Sequence, residues 1–219
     1  MEGKKFEVRA TCAQKSSVLP ALVVFDLDMC LWSPEMYTLS QVPSSSDAIL
    51  GDLGDLGEGI IAVQSGRERI ALFPGALRVL QEFYQGAYGA MRIAAASSAD
   101  TPHAVKIGRT ALGILEVVPG ISVREVFARG WPPGFEGNLQ IGRSHPLSSD
   151  KAATHFPFLK EATGVGYSDM LFFDDCNWGD NCGKVARRCK GVVTQRTPNG
   201  LQWQEWEEGL HNFELAHSR

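Results

Sequence analysis

Ala21-Leu-Val-Val-Phe-Asp26-Leu-Asp28 is the stretch that decides the fold. Five apolar residues with a β-branched centre and no polar interruption fit a strand buried on both faces, as in a parallel sheet. The run then ends abruptly in two carboxylates two residues apart. In open α/β sheets, sites form at the carboxyl ends of strands. Residues i and i+2 of an extended chain point the same way, so Asp26 and Asp28 can face one site. Like charges that close repel unless a cation lies between them or one is protonated. Two loop aspartates capping a helix have the same spacing, so the pair alone leaves both readings open.

Similar apolar runs follow at Met91–Ala96 and Met170–Phe173, with a fourth candidate at Gly191–Thr194. Helical patterns lie between them at Pro74–Gln85, Pro102–Leu115, Ala152–Ala162 and Gly183–Arg188. Pro at a helix start and the Asp100-Thr101 pair before Pro102 are N-terminal signals. Strands alternating with helices imply an α/β fold, a three-layer Rossmann-like parallel sheet with helices on both faces. Two stretches interrupt the alternation. Ser33–Phe73 begins loop-like, with Pro43 and repeated Gly-Asp-Leu, and its Gly59–Phe73 part reads as a β-hairpin flap around a polar, Gly-containing turn. Gly130–Asp150 is rich in Pro and Gly. Neither is large enough to be a separate domain, so residues 1–219 read as one domain without a large cap.

The chain's 219 residues suffice for one domain of this kind with a full core. Hydrophobic residues at 44%, charged residues at 21% and a net charge of −4 fit a globular protein and give no footprint for nucleic acid or a membrane surface. An acidic protein that handles an anion must therefore gather positive charge locally. Met1–Ala10 lacks the apolar core of a signal peptide. The longest apolar run, Val18–Phe25, is far shorter than the roughly 20 residues a membrane helix needs. The expectation is a cytoplasmic protein. Its five cysteines, Cys12, Cys30, Cys176, Cys182 and Cys189, form no CxxC pair and read as free thiols. Cys176, Cys182, Cys189 and His155 lack the short spacing of a structural zinc site.

Three further signals carry chemistry. Met170-Leu-Phe-Phe-Asp174-Asp175 is a second apolar strand ending in carboxylates. Four acidic groups at two strand ends call for a divalent cation, and oxygen-only ligands suit Mg²⁺. Ser97-Ser98, after the Met91–Ala96 strand, can cradle a phosphate with hydroxyls and backbone N–H groups, although Ser-Ser-Ala-Asp-Thr is also an ordinary capping loop. Lys151, at the start of a predicted helix, can neutralise a phosphate oxygen, or it can be an ordinary solvated lysine.

Taken in order, these signals resemble the motifs of the haloacid dehalogenase superfamily: Asp-x-Asp, Ser/Thr, Lys, Asp-Asp. The closer similarity is to its eukaryotic magnesium-dependent phosphatases, which are acid phosphatase-like and lack a cap. It rests on Val24–Asp28 with Leu31-Trp32, Ala94–Ser97, Lys151 followed by Thr154-His155-Phe156, Phe172–Asp175 with Asn177, and Asn199–Gln202. The resemblance implies a phosphomonoester hydrolase. Asp26 would be the nucleophile that forms an aspartyl-phosphate, and Asp28 the acid/base. Mg²⁺ would be held by Asp26, Asp28 (through its carbonyl), Asp174 and Asp175. Ser97, Lys151 and the backbone N–H groups near Leu27 would hold the phosphoryl oxygens. Substrates would be phosphorylated small molecules or phosphoproteins, such as phosphotyrosine or phosphorylated sugar adducts of amines.

Departures from the family bear on specificity. Met29-Cys30 stands where the family has Tyr-Thr. Ser98 replaces an Arg, removing a cationic substrate contact. One extra residue follows Lys151, which leaves Lys160 as a second candidate, after Lys151, for the phosphate lysine. Trp32 and the flap are candidates for one wall of the site, and core packing is the other reading for Trp32. A non-catalytic phosphate- and Mg²⁺-binding module and a phospho-accepting switch are alternative functions. Neither gives a reason for the second carboxylate at Asp28.

Overall fold

The computed structural model describes residues 18–218, so Met1–Ala10 and Cys12 lie outside the described residues. The opening apolar run forms β1 (Leu22–Phe25), buried throughout. The chain continues through β2 (Trp32–Ser33), β3 (Ala48–Asp52), β4 (Glu58–Ser65), β5 (Glu68–Leu72) and α1 (Pro74–Tyr84) to β6 (Arg92–Ser97), α2 (Pro102–Ile114), β7 (Glu116–Val118), β8 (Ile121–Ser122) and α3 (Val123–Ala128). It ends with β9 (Leu139–Ile141), α4 (His155–Thr163), β10 (Met170–Asp174), α5 (Asn181–Arg188), β11 (Val193–Arg196) and α6 (Trp203–His217).

Five strands form one parallel sheet in the order β11-β10-β1-β6-β9, the expected Rossmann-like sheet. Both faces of β1 are covered, which is why no polar residue interrupts it. Val23 and Phe25 pack with residues of α1, α2, α3 and α6. Leu22 and Val24 face the opposite layer, with Phe156 and Leu159 of α4 and Val185 of α5. Gly209 of α6 exists because the helix touches the sheet: a Cβ there would lie 2.5 Å from the Phe173 ring. In register, Phe25 pairs with Phe173 on one side and Ala95 on the other, so the ends of β10, β1 and β6 lie level.

Both interruptions carry more structure than their sequence suggests. The Gly59–Phe73 hairpin forms as β4 and β5, but the loop-like part before it supplies β3, and β2 completes a four-stranded antiparallel sheet, β2-β5-β4-β3. β3 is a partly exposed edge strand with a pairing irregularity at Ile49/Leu50, so it shows no clean alternation. The Pro/Gly-rich stretch contains β9, the edge strand beside β6. Three residues are too few to display a period. The buried Asn138 fixes the strand instead, its Nδ2 donating to the Ile93 and Phe127 carbonyls. The sequence pattern also assigns no element to Trp203–His217, where α6 forms around buried Trp206 and Phe213. Among the described residues, no helix is long and apolar enough to cross a membrane.

Candidate active site

Asp26 follows β1 directly, and its N–H donates to the Phe173 carbonyl at 2.9 Å, which ties the two acidic strand ends together. Asp26, Asp174 and Asp175 each place a carboxylate oxygen within 4.8 Å of the others, all buried. Lys151 lies between two of them, Nζ 2.8 Å from Asp26 Oδ2 and 2.7 Å from Asp174 Oδ2. It is 1% exposed, so it is not a solvated lysine. Nor does it begin a helix: α4 starts at His155, and Lys151 sits in the turn held by Asp150, whose carbonyl accepts from Ala153 and Thr154. Lys160 lies elsewhere, its ammonium 4.7 Å from the centre of the Tyr167 ring.

Three carboxylates against one ammonium leave a charge that protons or a cation must balance. Burial pushes the Asp26 carboxyl well above its ordinary value; Lys151 opposes this, and Asp174 and Asp175 add to it. Burial pushes Asp175 up to about 6, with Asp174 contributing. Burial also works against the charge of Asp174, but Lys151 and the donors Cys176 N–H and Asn181 Nδ2 outweigh it and hold this carboxyl low. A compact, all-oxygen, under-neutralised cluster fits a hard divalent cation. No comparable group of His, Cys, Asp or Glu occurs elsewhere among the described residues. The zinc candidates do not converge on one point: Cys176 and Cys182 adjoin, the Cys182 N–H meeting Cys176 Sγ at 3.4 Å, but His155 bonds the Ser97 and Gly142 carbonyls, and the Cys189 thiol faces the Ala152 carbonyl.

Asp28 stands apart from that cluster, but Asp26, Asp28 and Asp175 all line one cleft of about 470 Å³. Both oxygens of Asp28 are held, Oδ1 by Trp32 Nε1 at 2.9 Å and Oδ2 by Met36 N–H at 3.0 Å. Burial raises its carboxyl to about 6 against the pull of those two donors. Trp32 is thus fully buried and not part of the cleft wall, yet it orients a cleft residue. The Leu27 N–H, expected on a phosphoryl oxygen, here donates to Asp26 Oδ1 at 2.8 Å. Ser97 and Ser98 line the cleft at the end of β6. The Ser97 carbonyl is fixed by His155 Nε2 at 3.1 Å and by Gly142 N–H at 2.8 Å.

Sequence reasoning missed seven cleft residues: Glu35, Tyr37, Ala99, Asp100, Arg143, Trp178 and Asn181. Arg143 follows β9, the strand hidden among prolines and glycines, and brings a guanidinium to the cleft that holds Ser98; it pairs with Asp100 at 3.5 Å. The flap contributes Glu35 and Tyr37 from its first turn, while none of its hairpin residues lines the cleft. Trp178 left a usable signal, a tryptophan three residues after the acidic pair in a polar loop.

Residues 18–216 match the family model described as acid phosphatase. Human Magnesium-dependent phosphatase 1 is 25% identical over 198 residues, covering 90% of this chain and 89% of the human protein. Among solved structures, the N-terminal part of BF1531 from Bacteroides fragilis, containing a phosphatase domain complexed with Mg, aligns with 15% identity and a TM-score of 0.44. The alignment covers 89% of this chain but only 40% of that one. CbbY from Rhodobacter sphaeroides, solved with phosphate, aligns with 12% identity and a TM-score of 0.42 over 82% of this chain and 87% of that one. Because the family match takes in all four strand ends and loops that build the cleft, this chain belongs to the acid phosphatase family.

Proposed function

We propose that the protein is a Mg²⁺-dependent phosphomonoester hydrolase that works through an aspartyl-phosphate on Asp26. The observation that carries this reading is the division of labour in one cleft. Asp26 belongs to the under-neutralised carboxylate cluster, while Asp28 stands outside it, raised to about 6 and fixed by two donors. Asp26, Asp174 and Asp175 would hold Mg²⁺, with the Asp28 carbonyl as a further candidate. The ion supplies positive charge that offsets repulsion between an anionic nucleophile and a phosphate.

In the first step an Asp26 oxygen attacks phosphorus, the bond to the leaving oxygen breaks, and Asp28 gives that oxygen its proton. In the second step Asp28, now a carboxylate, takes a proton from water as the water oxygen attacks phosphorus. The bond from phosphorus to Asp26 breaks and phosphate leaves. Ser97 and Ser98 supply donors to the phosphoryl oxygens, and the Leu27 N–H joins them once it leaves Asp26 Oδ1. Lys151 holds Asp26 and Asp174 in place, keeps Asp174 charged and opposes the protonation of Asp26 that burial favours. The uncapped cleft suits a phosphorylated small molecule or an exposed phosphoryl group on a protein, including phosphotyrosine and phosphorylated sugar adducts. A screen of phosphopeptides, sugar phosphates and nucleotides with and without Mg²⁺ tests this. Turnover that needs the ion supports the reading, and no turnover of any substrate rejects it.

A further inference from the structure

Trp178 is 77% exposed and Tyr37 is 49% exposed, yet the two rings are in contact. Their centroids lie 6.1 Å apart in an edge-to-face arrangement at 78°. The indole Nε1 donates to Glu35 Oε1 at 2.7 Å, linking positions 143 residues apart. Both rings line the cleft that contains Asp26, Asp28 and Asp175. An exposed indole hydrogen-bonded at its nitrogen at the rim of a site leaves an apolar surface available for contact.

Its position relative to Asp28 assigns the contact. Met36 N–H, one residue before Tyr37, holds Asp28 Oδ2. If Asp28 protonates the leaving oxygen, as the proposed function requires, whatever is attached to that oxygen emerges beside the Met36–Thr38 turn. We propose that Trp178 and Tyr37 form a leaving-group subsite that stacks a neutral planar ring of the substrate. The inference rests on the phosphatase reading for the direction in which the leaving group departs. Indole and phenol faces favour a planar ring, and the Glu35 carboxylate at the indole's edge disfavours an anionic one. Glu35 therefore acts twice, as the latch on Trp178 and as a charge filter.

Non-hydrolysable phosphonates separate ring recognition from turnover. Calorimetry in Mg²⁺ buffer compares phenylphosphonate with methylphosphonate, which differ only in the group beyond phosphorus. The wild-type protein should bind the phenyl compound about tenfold more tightly, the scale of one good ring contact. Trp178→Ala and Tyr37→Ala should each cut that preference about threefold to fivefold, and Trp178→Phe should retain more of it than Trp178→Ala. Equal wild-type affinities, or a preference unchanged in both alanine variants, overturns the subsite. So does a variant that loses both ligands in parallel, because the residue then acts on the phosphate end. Phenyl phosphate turnover is followed alongside the substrate screen: a ring preference without turnover of phenyl phosphate or of any screened substrate sinks the phosphatase reading and leaves the ring subsite standing.

Discussion

The ends of β1 and β10 each carry two aspartates, but spacing gives the two pairs different fates. Asp26 and Asp28, separated by one residue, both reach the cleft. Asp174 and Asp175 are adjacent, so their side chains leave an extended backbone in different directions, although each still brings an oxygen within 4.8 Å of the other. Asp174 turns inward to Lys151 and Asn181 and is fully buried, while Asp175 lines the cleft. One end presents two chemical groups to a ligand, and the other presents one and anchors the next. Both ends turn immediately afterwards through a left-handed, non-glycine residue, Met29 at φ 56° and Cys176 at φ 59°. Such a residue costs on the order of 1–2 kcal/mol, so neighbouring contacts must hold each turn closed. The Leu27 carbonyl, which accepts from Leu31 N–H, is one such contact.

The comparison breaks first at β1 if its two aspartates are not distinct. Asp26→Asn should lower turnover at least about 10³-fold, as removal of a nucleophile does. Asp28→Asn should lower it about 10²- to 10⁴-fold, the range for general acid–base catalysis, with Mg²⁺ binding retained. Steady-state kinetics and Mg²⁺ titration separate the two, and normal turnover in Asp28→Asn rejects its acid/base role. Lys151→Met tests what joins the two ends. Without the ammonium, Asp26 and Asp174 face each other unpaired. Breaking a buried pair in this way costs about 3–5 kcal/mol. Urea unfolding without Mg²⁺ should show that loss, and added Mg²⁺ should restore part of it. A variant as stable as wild type in metal-free buffer would remove Lys151 from this role.

The same physical distinction sets what the sequence made legible. β1 and β10 are buried on both faces, so their residues show directly as apolar runs, and their terminal aspartates stand out against them. β9 and β3 sit at sheet edges. Their pairing is decided by neighbours distant in sequence, and with them Arg143 and the true extent of the flap stayed hidden. Asp26, Asp28, Asp174, Asp175, Ser97 and Lys151 were all readable as candidates. The burial of Lys151 between two carboxylates was not, because nothing local distinguishes it from a surface lysine. Trp178 and Tyr37 act from loops, where no period exists to read.

A third strand end, that of β6, offers a pH test that leaves both aspartate pairs untouched. His155, 0% exposed, bonds the Ser97 and Gly142 carbonyls through Nε2. Burial, with the Lys151 charge adding to it, lowers its pKa from 6.5 to about 4. The unfolded chain therefore takes up a proton between these values while the folded one does not. The neutral ring's contribution is complete above about pH 6.5 and is lost as pH falls toward 4, by up to about 3 kcal/mol. Asp26, Asp28 and Asp175, with raised values, act in the opposite direction. The informative quantity is thus the stability of wild type minus His155→Gln, from urea unfolding at several pH values. It should shrink on acidification, and a constant difference would remove His155 from the acid response.

The smallest effect sharpens the comparison most, because it sets adjacent residues against each other. Asp175 accepts from Asn177 N–H and faces the cleft, whereas Asp174 is occupied by Lys151, Cys176 and Asn181. If inward and outward positions carry different roles, Asp175→Asn should weaken Mg²⁺ binding about tenfold, or about 1.4 kcal/mol, while leaving the unfolding midpoint near wild type without metal. Asp174→Asn should do the reverse in emphasis. It leaves Lys151 with one carboxylate and should lower metal-free stability more than Asp175→Asn does. Calorimetric Mg²⁺ titration and thermal unfolding of the same two variants give both readings. Equal effects of both substitutions on both measurements would mean that adjacency at the end of β10 does not divide structure from chemistry.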